Sequence, residues 1–471
     1  MNYDKLFING QWITSSSKDW IEVENPADKT IITRVPAANY NDVDQAIKSA
    51  ENAFYLWKDL QPSQRQDKVR KMINYLVENF EEIAPVLAKE LGCTTSFALS
   101  RHLENYKEAM EGFLEAHEKI EYVQERQGYR LYRRPRGIVA CITPWNYPFG
   151  QIVKKVIPAL LAGNSVILKP SKSTPMTAYF WAKAAKVAHL PPGVFNLVPG
   201  RGGQVGNILA QDPRVNAISF TGSTKGGKEV ASLALNSSTK RITLEMGGKS
   251  AAVILEGSDY KRDLKLVLDT VYYNVGQTCS AKTRLIVPKK EVKEIEEILI
   301  QLSSNYKFGN PIDDEDIDVG VLNSKKQWEK VRSYIKIGLE EGAQLLYGKL
   351  PKKEAKGYEV SPIIFTNVTP NMRIAQEEIF GPVLCLISYD TIEEAIEIAN
   401  NSIYGLAGMV FGGKEEEALY VASQIHTGQV QVNGSPQIQN APFGGFKESG
   451  IGREGSIEGL EEFFEYQTIF I

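Results

Sequence analysis

Among the residues of this chain, Cys279 has the sequence surroundings that are most typical of a covalent nucleophile. It follows a largely apolar stretch, residues 266–273, that predicts a buried helix, and it precedes a strand-like run at residues 284–287. Gly276 permits a turn between them, so we expect Cys279 to lie on a connecting loop, where a rigid scaffold often holds reactive groups. A thiolate is a strong nucleophile, but a free thiol with a pKa of roughly 8.5 needs a neighbouring base, charge or dipole. The alternative interpretation is a small, inert, buried residue.

Residues 137–244 are the most regular region of the sequence. Short apolar runs alternate there with helical segments: the runs are 137–142, 165–168, 194–197, 215–220 and 242–244, and the helical segments are 151–161, 175–189, 203–210 and 223–235. This alternation predicts a parallel α/β sheet that is covered by helices on both faces. Ligands of such sheets bind at the carboxyl ends of the strands, so the polar residues that follow the runs are candidates for a site.

Two of these strand ends carry residues suited to catalysis and to phosphate binding. Glu245 ends an apolar strand, and since no histidine lies near Cys279 in the sequence, it is the best candidate for a general base. The turn that contains Gly222, Ser223 and Gly227 opens a helix, whose free N–H groups and dipole favour a phosphate. Its spacing differs from the usual dinucleotide-binding pattern, so an ordinary turn is the alternative.

Asn146 and Lys169 follow the first and second runs, and each has a plain structural alternative. The Asn146 side chain is suited to capping the helix that follows it. Lys169 is suited to hydrogen bonding a ribose, or to an exposed position without a ligand.

The rest of the chain predicts further α/β structure and a small β element. Residues 1–35 alternate as strands, residues 41–118 have helical spacing, and residues 250–434 begin a second α/β series. Residues 128–135 read as an exposed charged strand, and the apolar C-terminal residues 463–471 read as a docked strand. We therefore expect two doubly wound parallel-sheet domains, one Rossmann-like, and a small β element.

Composition excludes several classes of protein. The 471 residues exceed one hydrophobic core, and 54 Lys plus Arg against 57 Asp plus Glu give a net charge of −3, which argues against binding to nucleic acid or a membrane surface. The four cysteines and four histidines are scattered, which favours a reducing compartment and no metal site. The N-terminus lacks a secretory pattern, and no apolar run approaches the ~20 residues of a membrane span. We expect a cytoplasmic protein.

Taken together, these stretches resemble the aldehyde dehydrogenase superfamily over essentially the whole length of the chain. Eight motifs carry the resemblance in the family's order: PWNYP at 144–148, KPS at 169–171, FTGS at 220–223, LEMGGKS at 244–250, GQTC at 276–279, EEIFGPV at 377–383, PFGGFK at 442–447 and GIGRE at 450–454. Each motif alone is weak, whereas eight in order are specific.

The resemblance implies a mechanism for the oxidation of an aldehyde with NAD or NADP. Cys279 attacks the carbonyl carbon, and the Asn146 amide with the Cys279 backbone N–H forms the oxyanion hole of the thiohemiacetal. Hydride passes to the nicotinamide, and Glu245 activates the water that hydrolyses the thioester. A donor aimed at an oxyanion acts selectively on the transition state, by about 2.7–4 kcal/mol in comparable sites.

The resemblance also implies cofactor contacts and an assembly. Lys169 takes the adenosine ribose, Ser223 takes a phosphate within the Gly222–Gly227 turn, and Glu378 takes the nicotinamide ribose. Trp145 and Phe380 pack nearby. The implied domains are a cofactor-binding domain at 1–118 and 136–248, a catalytic domain at 249–445, and an oligomerisation element at 119–135 and 446–471. A homodimer or homotetramer follows, with the C-terminal strand pairing across chains.

Two lysines depart from the family pattern. Lys172 stands where many members have a glutamate that binds the adenosine ribose hydroxyls, which favours use of NADP. Lys154 stands where an aromatic residue often lines the substrate tunnel, which favours a less apolar aldehyde. A solvated surface position is the alternative for both lysines, since charged side chains are usually exposed.

Two other functions remain as alternatives. An acylating dehydrogenase would pass the thioester to coenzyme A, but Glu245 as a base for water argues against it. A non-catalytic protein with this fold would be favoured by loss of Cys279, Glu245 or Asn146, and all three residues are present.

Overall fold

The strands of the protein follow from its short apolar runs. The structure is a computed structural model that describes residues 2–351 and 355–471. Its strands are β1 Leu6–Ile8, β2 Gln11–Ile13, β3 Trp20–Glu24, β4 Ile31–Pro36, β5 Val123–Arg126, β6 Tyr129–Pro135, β7 Ile138–Ile142, β8 Ser165–Lys169, β9 Phe195–Leu197, β10 Ala217–Thr221, β11 Arg241–Glu245, β12 Ala251–Ile254, β13 Arg284–Pro288, β14 Gln344–Tyr347, β15 Ile363–Thr366, β16 Val383–Tyr389, β17 Tyr404–Gly405, β18 Ala407–Phe411, β19 Gln429–Val432, β20 Phe446–Lys447, β21 Gly450–Ile451 and β22 Phe464–Phe470.

The helices lie between these strands and cover the sheets. They are α1 Tyr40–Lys58, α2 Pro62–Glu78, α3 Phe80–Leu91, α4 Thr95–Phe97, α5 Lys107–Glu118, α6 Pro148–Leu161, α7 Thr177–Val187, α8 Asn207–Gln211, α9 Thr224–Ser237, α10 Tyr260–Tyr272, α11 Val292–Ser304, α12 Lys325–Glu340, α13 Arg373–Gln376, α14 Ile392–Asn400, α15 Glu415–Gln424 and α16 Ser456–Glu461. Short π or 3₁₀ turns occupy Ala98–Leu103, Glu104–Tyr106, Gly202–Gly206, Tyr273–Gly276 and Lys289–Glu291. Within the described ranges, no helix is long and apolar enough to cross a membrane.

The first sheet holds the strand ends that the sequence marks as polar. Its order is β2-β1-β9-β8-β7-β10-β11-β21, and the strands from β9 to β11 pair in parallel. Alternate residues of β7 enter different cores: Val139 and Cys141 pack on one side, and Ile138 and Ala140 on the other. A strand buried on both faces needs a continuous apolar run, which is what the sequence provides. The predicted parallel sheet with helices on both faces is confirmed.

The second sheet has the order β14-β15-β16-β13-β12-β18-β19 and is parallel except for β14. A separate apolar core surrounds it, which confirms the second α/β series. Strand β13 begins at Arg284 directly after the Cys279 loop, so that loop lies between α10 and the middle of this sheet.

A third, small sheet joins β6 to β5 and to the C-terminal β22. Strand β22 pairs antiparallel with β6 from Phe464 opposite Pro135 to Phe470 opposite Tyr129, so the predicted C-terminal docking takes place within the chain. One edge of β22 pairs with β6 of the same chain and its other edge is open in the sheet, so the expected pairing across chains stays a prediction. Tyr466 and Phe470 on it are exposed.

Candidate active site

A strained turn leads into the Cys279 loop. After α10 ends at Tyr272, Asn274, Val275 and Gly276 have φ angles of 50°, 59° and 69°. This region is costly for a β-branched residue such as Val275. A Cβ atom on Gly276 would lie 2.3 Å from the carbonyl of Gly381, so glycine is required there both for its φ angle and for space.

Hydrogen bonds hold the residues on either side of this turn. The Gln277 side chain accepts from the Asn323 backbone N–H at 2.8 Å and donates to the Asn274 carbonyl at 3.1 Å. The hydroxyl groups of Thr278 and Tyr147 lie 2.7 Å apart. Cys279 lies on a connection, as predicted, and its neighbours before it in the chain are fixed on both sides.

Asn146 is buried beside this loop. Its Nδ2 donates to the Gln277 carbonyl at 2.9 Å, and its own carbonyl accepts from Asn274 Nδ2 at 2.9 Å. Helix α6 begins at Pro148 with Tyr147 as its N-cap and no side-chain cap bond, so the capping interpretation of Asn146 is wrong. An amide nitrogen has two N–H groups, and only one is used here. Together with the Cys279 backbone N–H, which has no acceptor in the described part of the chain, it supplies donors for an oxyanion.

Glu245 is fixed by its backbone and has an unpaired side chain. It ends β11, opposite Gly450 of β21, and its carbonyl accepts the N–H of Gly222 at 3.0 Å. The residue is 2% exposed, and neither carboxylate oxygen has a hydrogen-bond partner among the described residues. Burial raises the pKa of this carboxyl well above its usual range, and the Glu454 carboxylate adds to the rise. A carboxyl with a raised pKa is suited to accepting a proton near neutral pH.

A buried ion pair beside Glu245 escaped the sequence analysis. Lys155 pairs with Glu454, both nearly inaccessible, and Lys155 Nζ also donates to Ser219 Oγ at 3.2 Å. The Lys155 ammonium lowers the pKa of Glu245, in opposition to burial. The signal available in the sequence was a pair of adjacent lysines in an otherwise largely apolar helix. In the structure, that helix is buried along its entire length.

Cys279 is half-buried, and it lines a cavity of about 720 Å³. Burial raises the pKa of its thiol to about 12, with further increases from the Glu245 and Glu378 carboxylates, while the Lys154 ammonium opposes them. The thiol is therefore protonated at neutral pH and needs a proton acceptor before it can attack. A Cβ atom on Gly248 would lie 2.4 Å from the Cys279 carbonyl, so the Cys279 loop contacts the segment that closely follows Glu245.

Lys154 is buried, so the interpretation of this lysine as a surface residue is wrong. It is 6% exposed, lines the same cavity as Cys279, and holds its Nζ 4.0 Å from the centre of the Phe443 ring. It lies on α6, six residues after the helix begins at Pro148, and its side chain lines the cavity.

The predicted adenosine contacts lie at the end of β8. Lys169 is buried and donates to the Pro170 carbonyl at 3.0 Å, whereas Lys172 is exposed. Burial, and then the charge of Lys172, lower the pKa of Lys169 to about 8. The exposed alternative is thus wrong for Lys169, and a contact of Lys172 with the cofactor stays a prediction.

The predicted phosphate turn lies at the end of β10, on the same edge of the sheet. Ser223 is the N-cap of α9, and its hydroxyl oxygen accepts from the Gly226 N–H at 3.2 Å. A Cβ atom on Gly227 would lie 2.5 Å from Met246 Sδ, and one on Gly222 would lie 2.6 Å from the Phe220 ring. Glycine at these two positions therefore lets the turn pack closely against Met246 and Phe220.

The predicted nicotinamide contacts come from the second domain. Glu378 accepts the Gly248 N–H at 3.0 Å, and Trp145 meets Phe380 edge to face with ring centres 5.4 Å apart. Phe380 has a φ of 64°, a strained conformation that is typical of functional sites. Within residues 2–351 and 355–471, no cluster of three or more His, Cys, Asp or Glu side chains is arranged to hold a metal ion.

Comparisons with known proteins agree with this geometry. The model of the aldehyde dehydrogenase family matches residues 12–469. A protein of Staphylococcus aureus (strain MSSA476) that bears a provisional aldehyde dehydrogenase name is 40% identical over 473 residues, covering 99% of this chain and 98% of the relative.

Two solved structures are similar along their whole length. One is a mutant of aldehyde dehydrogenase C from Pseudomonas syringae with NAD⁺ and octanal, at 38% identity and a TM-score of 0.97, covering 99% of this chain and 96% of that chain. The other is an aldehyde dehydrogenase of Mycobacterium tuberculosis with NAD⁺, at 38% identity and a TM-score of 0.96, covering 100% and 98%.

Proposed function

The chain belongs to the aldehyde dehydrogenase family, and on that premise we propose that it oxidises an aldehyde to a carboxylic acid through a thioester on Cys279. The observation that carries the proposal is the joint position of three groups. The Cys279 loop is hydrogen-bonded to the buried Asn146 amide, and the unpaired Glu245 carboxylate acts on the thiol through its charge.

In the first step, Glu245 accepts the proton of the Cys279 thiol, since the pKa of that thiol is too high for spontaneous ionisation. A bond then forms between sulfur and the carbonyl carbon, and the carbonyl oxygen takes the electron pair. The free Asn146 N–H and the Cys279 backbone N–H stabilise this oxyanion. Donors placed in this way contribute about 2.7–4 kcal/mol to the barrier.

The remaining steps return the enzyme to its starting state. Bound NAD or NADP supplies the hydride acceptor, and loss of hydride from carbon converts the adduct on Cys279 to a thioester. Glu245 then releases the thiol proton to solvent and takes a proton from water as the water oxygen attacks the thioester carbon. The carbon–sulfur bond breaks, the acid leaves, and the proton on Glu245 returns to the Cys279 sulfur. In balance, aldehyde, water and oxidised cofactor give acid, reduced cofactor and a proton.

Several residues of this chain fit a dinucleotide. The Lys169 ammonium has only its neighbour's carbonyl as acceptor among the described residues, and the Glu378 carboxylate accepts one N–H. Both retain hydrogen-bonding capacity for ribose hydroxyls. The Ser223 turn offers the N-terminus of a 14-residue helix to a phosphate. The two similar structures with NAD⁺ support NAD as a cofactor of this chain as well.

We also propose that NADP is used at least as well as NAD. An ammonium at Lys172 cannot accept the hydrogen bonds of ribose hydroxyls, but it can pair with a 2′-phosphate. A charge-assisted hydrogen bond of roughly 1.5–3 kcal/mol corresponds to about ten- to a hundredfold, and exposure reduces it. The test compares kcat/KM for both cofactors in the wild type and in Lys172→Glu at two salt concentrations. A strong preference for NAD that Lys172→Glu leaves unchanged would reject the proposal.

The domain assignment follows the sheets. We assign residues 1–118 and 136–248 to cofactor binding, residues 249–445 to catalysis, and residues 119–135 and 446–471 to oligomerisation. The open edge of β22 and its exposed aromatic residues support a homodimer or homotetramer. The lack of any cysteine pairing supports a cytoplasmic enzyme.

One assay separates this function from its alternatives. The absorbance of reduced nicotinamide is followed with a panel of aldehydes, with and without coenzyme A. We expect aldehyde-dependent reduction that coenzyme A does not accelerate. Acceleration by coenzyme A with formation of an acyl thioester would identify an acylating enzyme, and no reduction with any aldehyde would indicate a non-catalytic protein.

A further inference from the structure

The cavity beside Cys279 is lined mainly by polar side chains. Its wall includes the neutral amides Gln151, Gln437 and Gln439, and the basic residues Arg101, Lys154, Lys265 and Lys282. A cavity of about 720 Å³ is large enough for a small organic substrate. The composition of this wall is unsuited to a purely aliphatic chain, because burying amides and ammonium groups against hydrocarbon costs free energy.

The carboxylates of the wall are already engaged. Asp269 accepts from Lys265 Nζ and from the Tyr306 hydroxyl, both at 2.6 Å. Asp318 accepts the backbone N–H of Lys307 at 2.9 Å. The acidic residues of the wall thus have partners of their own.

Lys154 is in the opposite situation. It is 6% exposed, yet in residues 2–351 and 355–471 its ammonium has no hydrogen bond and no ion pair, and it lies against the face of the Phe443 ring. The adjacent Lys155 takes Glu454 as its partner, and Glu454 and Glu245 act on Lys154 only through their charge. The Lys154 ammonium therefore keeps its donors free toward the cavity, where a ligand that brings a negative charge would be stabilised.

Two further cations extend this positive wall. Lys282 is buried, and its Nζ donates to the neutral Gln431 side chain at 2.8 Å. The Arg101 guanidinium is exposed and lies 5.6 Å from the centre of the Tyr273 ring. Both line the same cavity as Lys154, so its wall carries cations from the exposed side to the buried interior.

We infer that the aldehyde substrate carries a carboxylate at the end remote from its carbonyl, and that Lys154 pairs with this carboxylate. The inference rests on the proposed function and adds the substrate class. It assigns Lys154 to binding and leaves the chemistry to Cys279, Asn146 and Glu245. Removal of one charge-assisted hydrogen bond then costs roughly ten- to a hundredfold in affinity for the charged substrate.

The test uses aldehydes matched in length. Succinic semialdehyde is compared with butanal, and glutaric semialdehyde with pentanal, in the wild type, Lys154→Met, Lys154→Arg and Lys265→Met. Lys265 is the matched control, because it lines the same wall but is paired with Asp269. We expect Lys154→Met to lose roughly ten- to a hundredfold more in kcat/KM for the semialdehydes than for the neutral aldehydes, mainly through KM, while a loss common to both classes reports the effect of the Lys154 charge on the Cys279 thiol. Lys154→Arg restores most of the loss, and Lys265→Met behaves as the wild type.

A binding measurement makes the inference independent of turnover. Succinate and glutarate should raise the melting temperature of the wild type and compete with the semialdehydes, and Lys154→Met should abolish both effects. Equal losses for charged and neutral aldehydes, or dicarboxylate binding that Lys154→Met leaves intact, would overturn the inference while the dehydrogenase function stands. If the wild type fails to reduce the cofactor with any of the aldehydes, the proposed function itself is rejected. The dicarboxylate binding measurement would still show whether Lys154 forms an anion site.

Discussion

Gly222 donates its backbone N–H to the backbone carbonyl of Glu245 at 3.0 Å. The turn proposed for a cofactor phosphate and the strand end that carries the proposed base are therefore joined directly. Since backbone bonds hold Glu245 in place, its side chain needs no bond of its own, and both carboxylate oxygens stay available for proton transfer. A shift of the turn would move the base, so both should be equally rigid.

Asn146→Ala should reduce kcat by roughly 100- to 1000-fold, because it removes one oxyanion donor. It also removes the hydrogen bond to the Gln277 carbonyl, so the melting temperature should be measured beside steady-state kinetics. Asn105→Ala is the control, since Asn105 lines the same cavity from an exposed position. Equal kcat in the two variants would remove Asn146 from the oxyanion hole.

Cys279→Ala should abolish aldehyde oxidation while it retains cofactor binding, because no covalent adduct can form. The measurement is reduced nicotinamide at high enzyme concentration, with mass spectrometry to detect the acylated thiol in the wild type. Cys93→Ala, which changes another free cysteine, should stay active. Residual turnover in Cys279→Ala above that of a heat-inactivated sample would contradict the covalent mechanism.

Glu245→Gln should slow steady-state turnover, because deacylation needs a base for water. Since Glu245 is also the proposed acceptor of the thiol proton, a stopped-flow burst of reduced nicotinamide should be retained in amplitude but slowed in rate. In the wild type, the base works when it is deprotonated, and burial raises its pKa. The rising limb of kcat against pH should therefore lie above the range of an ordinary carboxyl and vanish in the variant. Turnover that equals the wild type would exclude Glu245.

Cofactor affinity should fall as pH rises through about 8, because Lys169 then loses the ammonium proton that strengthens its bond to the cofactor ribose. Lys172→Ala removes the neighbouring charge that lowers the pKa of Lys169, so the midpoint should move to higher pH. Fluorescence titration with reduced cofactor between pH 7 and about 9.5 measures both effects. Lys186→Ala, which alters an exposed lysine on α7, should leave the midpoint in place, and an affinity independent of pH would reject the role of Lys169.

Deletion of residues 464–471 should lower assembly and solubility but preserve the two large sheets. It removes β22, one of the two partners of β6, and leaves an unpaired edge of β6 with charged and aromatic side chains. Light scattering with size-exclusion chromatography measures the mass, and circular dichroism reports the sheets. A wild type that is an active monomer would contradict the proposed assembly.

Much of the fold was predictable from local patterns. The apolar run 165–168 was predicted as a strand and forms β8, Ser165–Lys169, because a strand buried in a parallel sheet has to be an uninterrupted apolar run. The loop position of Cys279 followed from the glycine before it and the strand after it. The clustering of Asn146 and Glu245 around it required the resemblance to a family, since they lie on different strands.

The features of the site that could not be predicted from the sequence depend on contacts between segments that are distant in the chain. The Lys155–Glu454 pair joins residues 299 positions apart, and local spacing carries no record of it. Lysine is usually a surface residue, so the sequence alone does not show that Lys154 is buried. Its burial becomes visible only in the packing of α6 against the segment that carries Phe443. The Asn146 cap was wrong for the same reason, because a tertiary acceptor at Gln277 replaced a local one.

The short strand β21 has a consequence for how this enzyme is made. Gly450 and Ile451 complete the edge of the first sheet by pairing with Glu245 and Leu244, more than 200 residues earlier in the chain. A ribosome must therefore release almost the entire polypeptide before the strand that carries the base gains its outer neighbour. Until then, the nascent N-terminal half presents an open sheet edge, to which a chaperone, or another unfinished copy, can add a strand. Premature termination even 25 residues from the end would leave that edge unsealed.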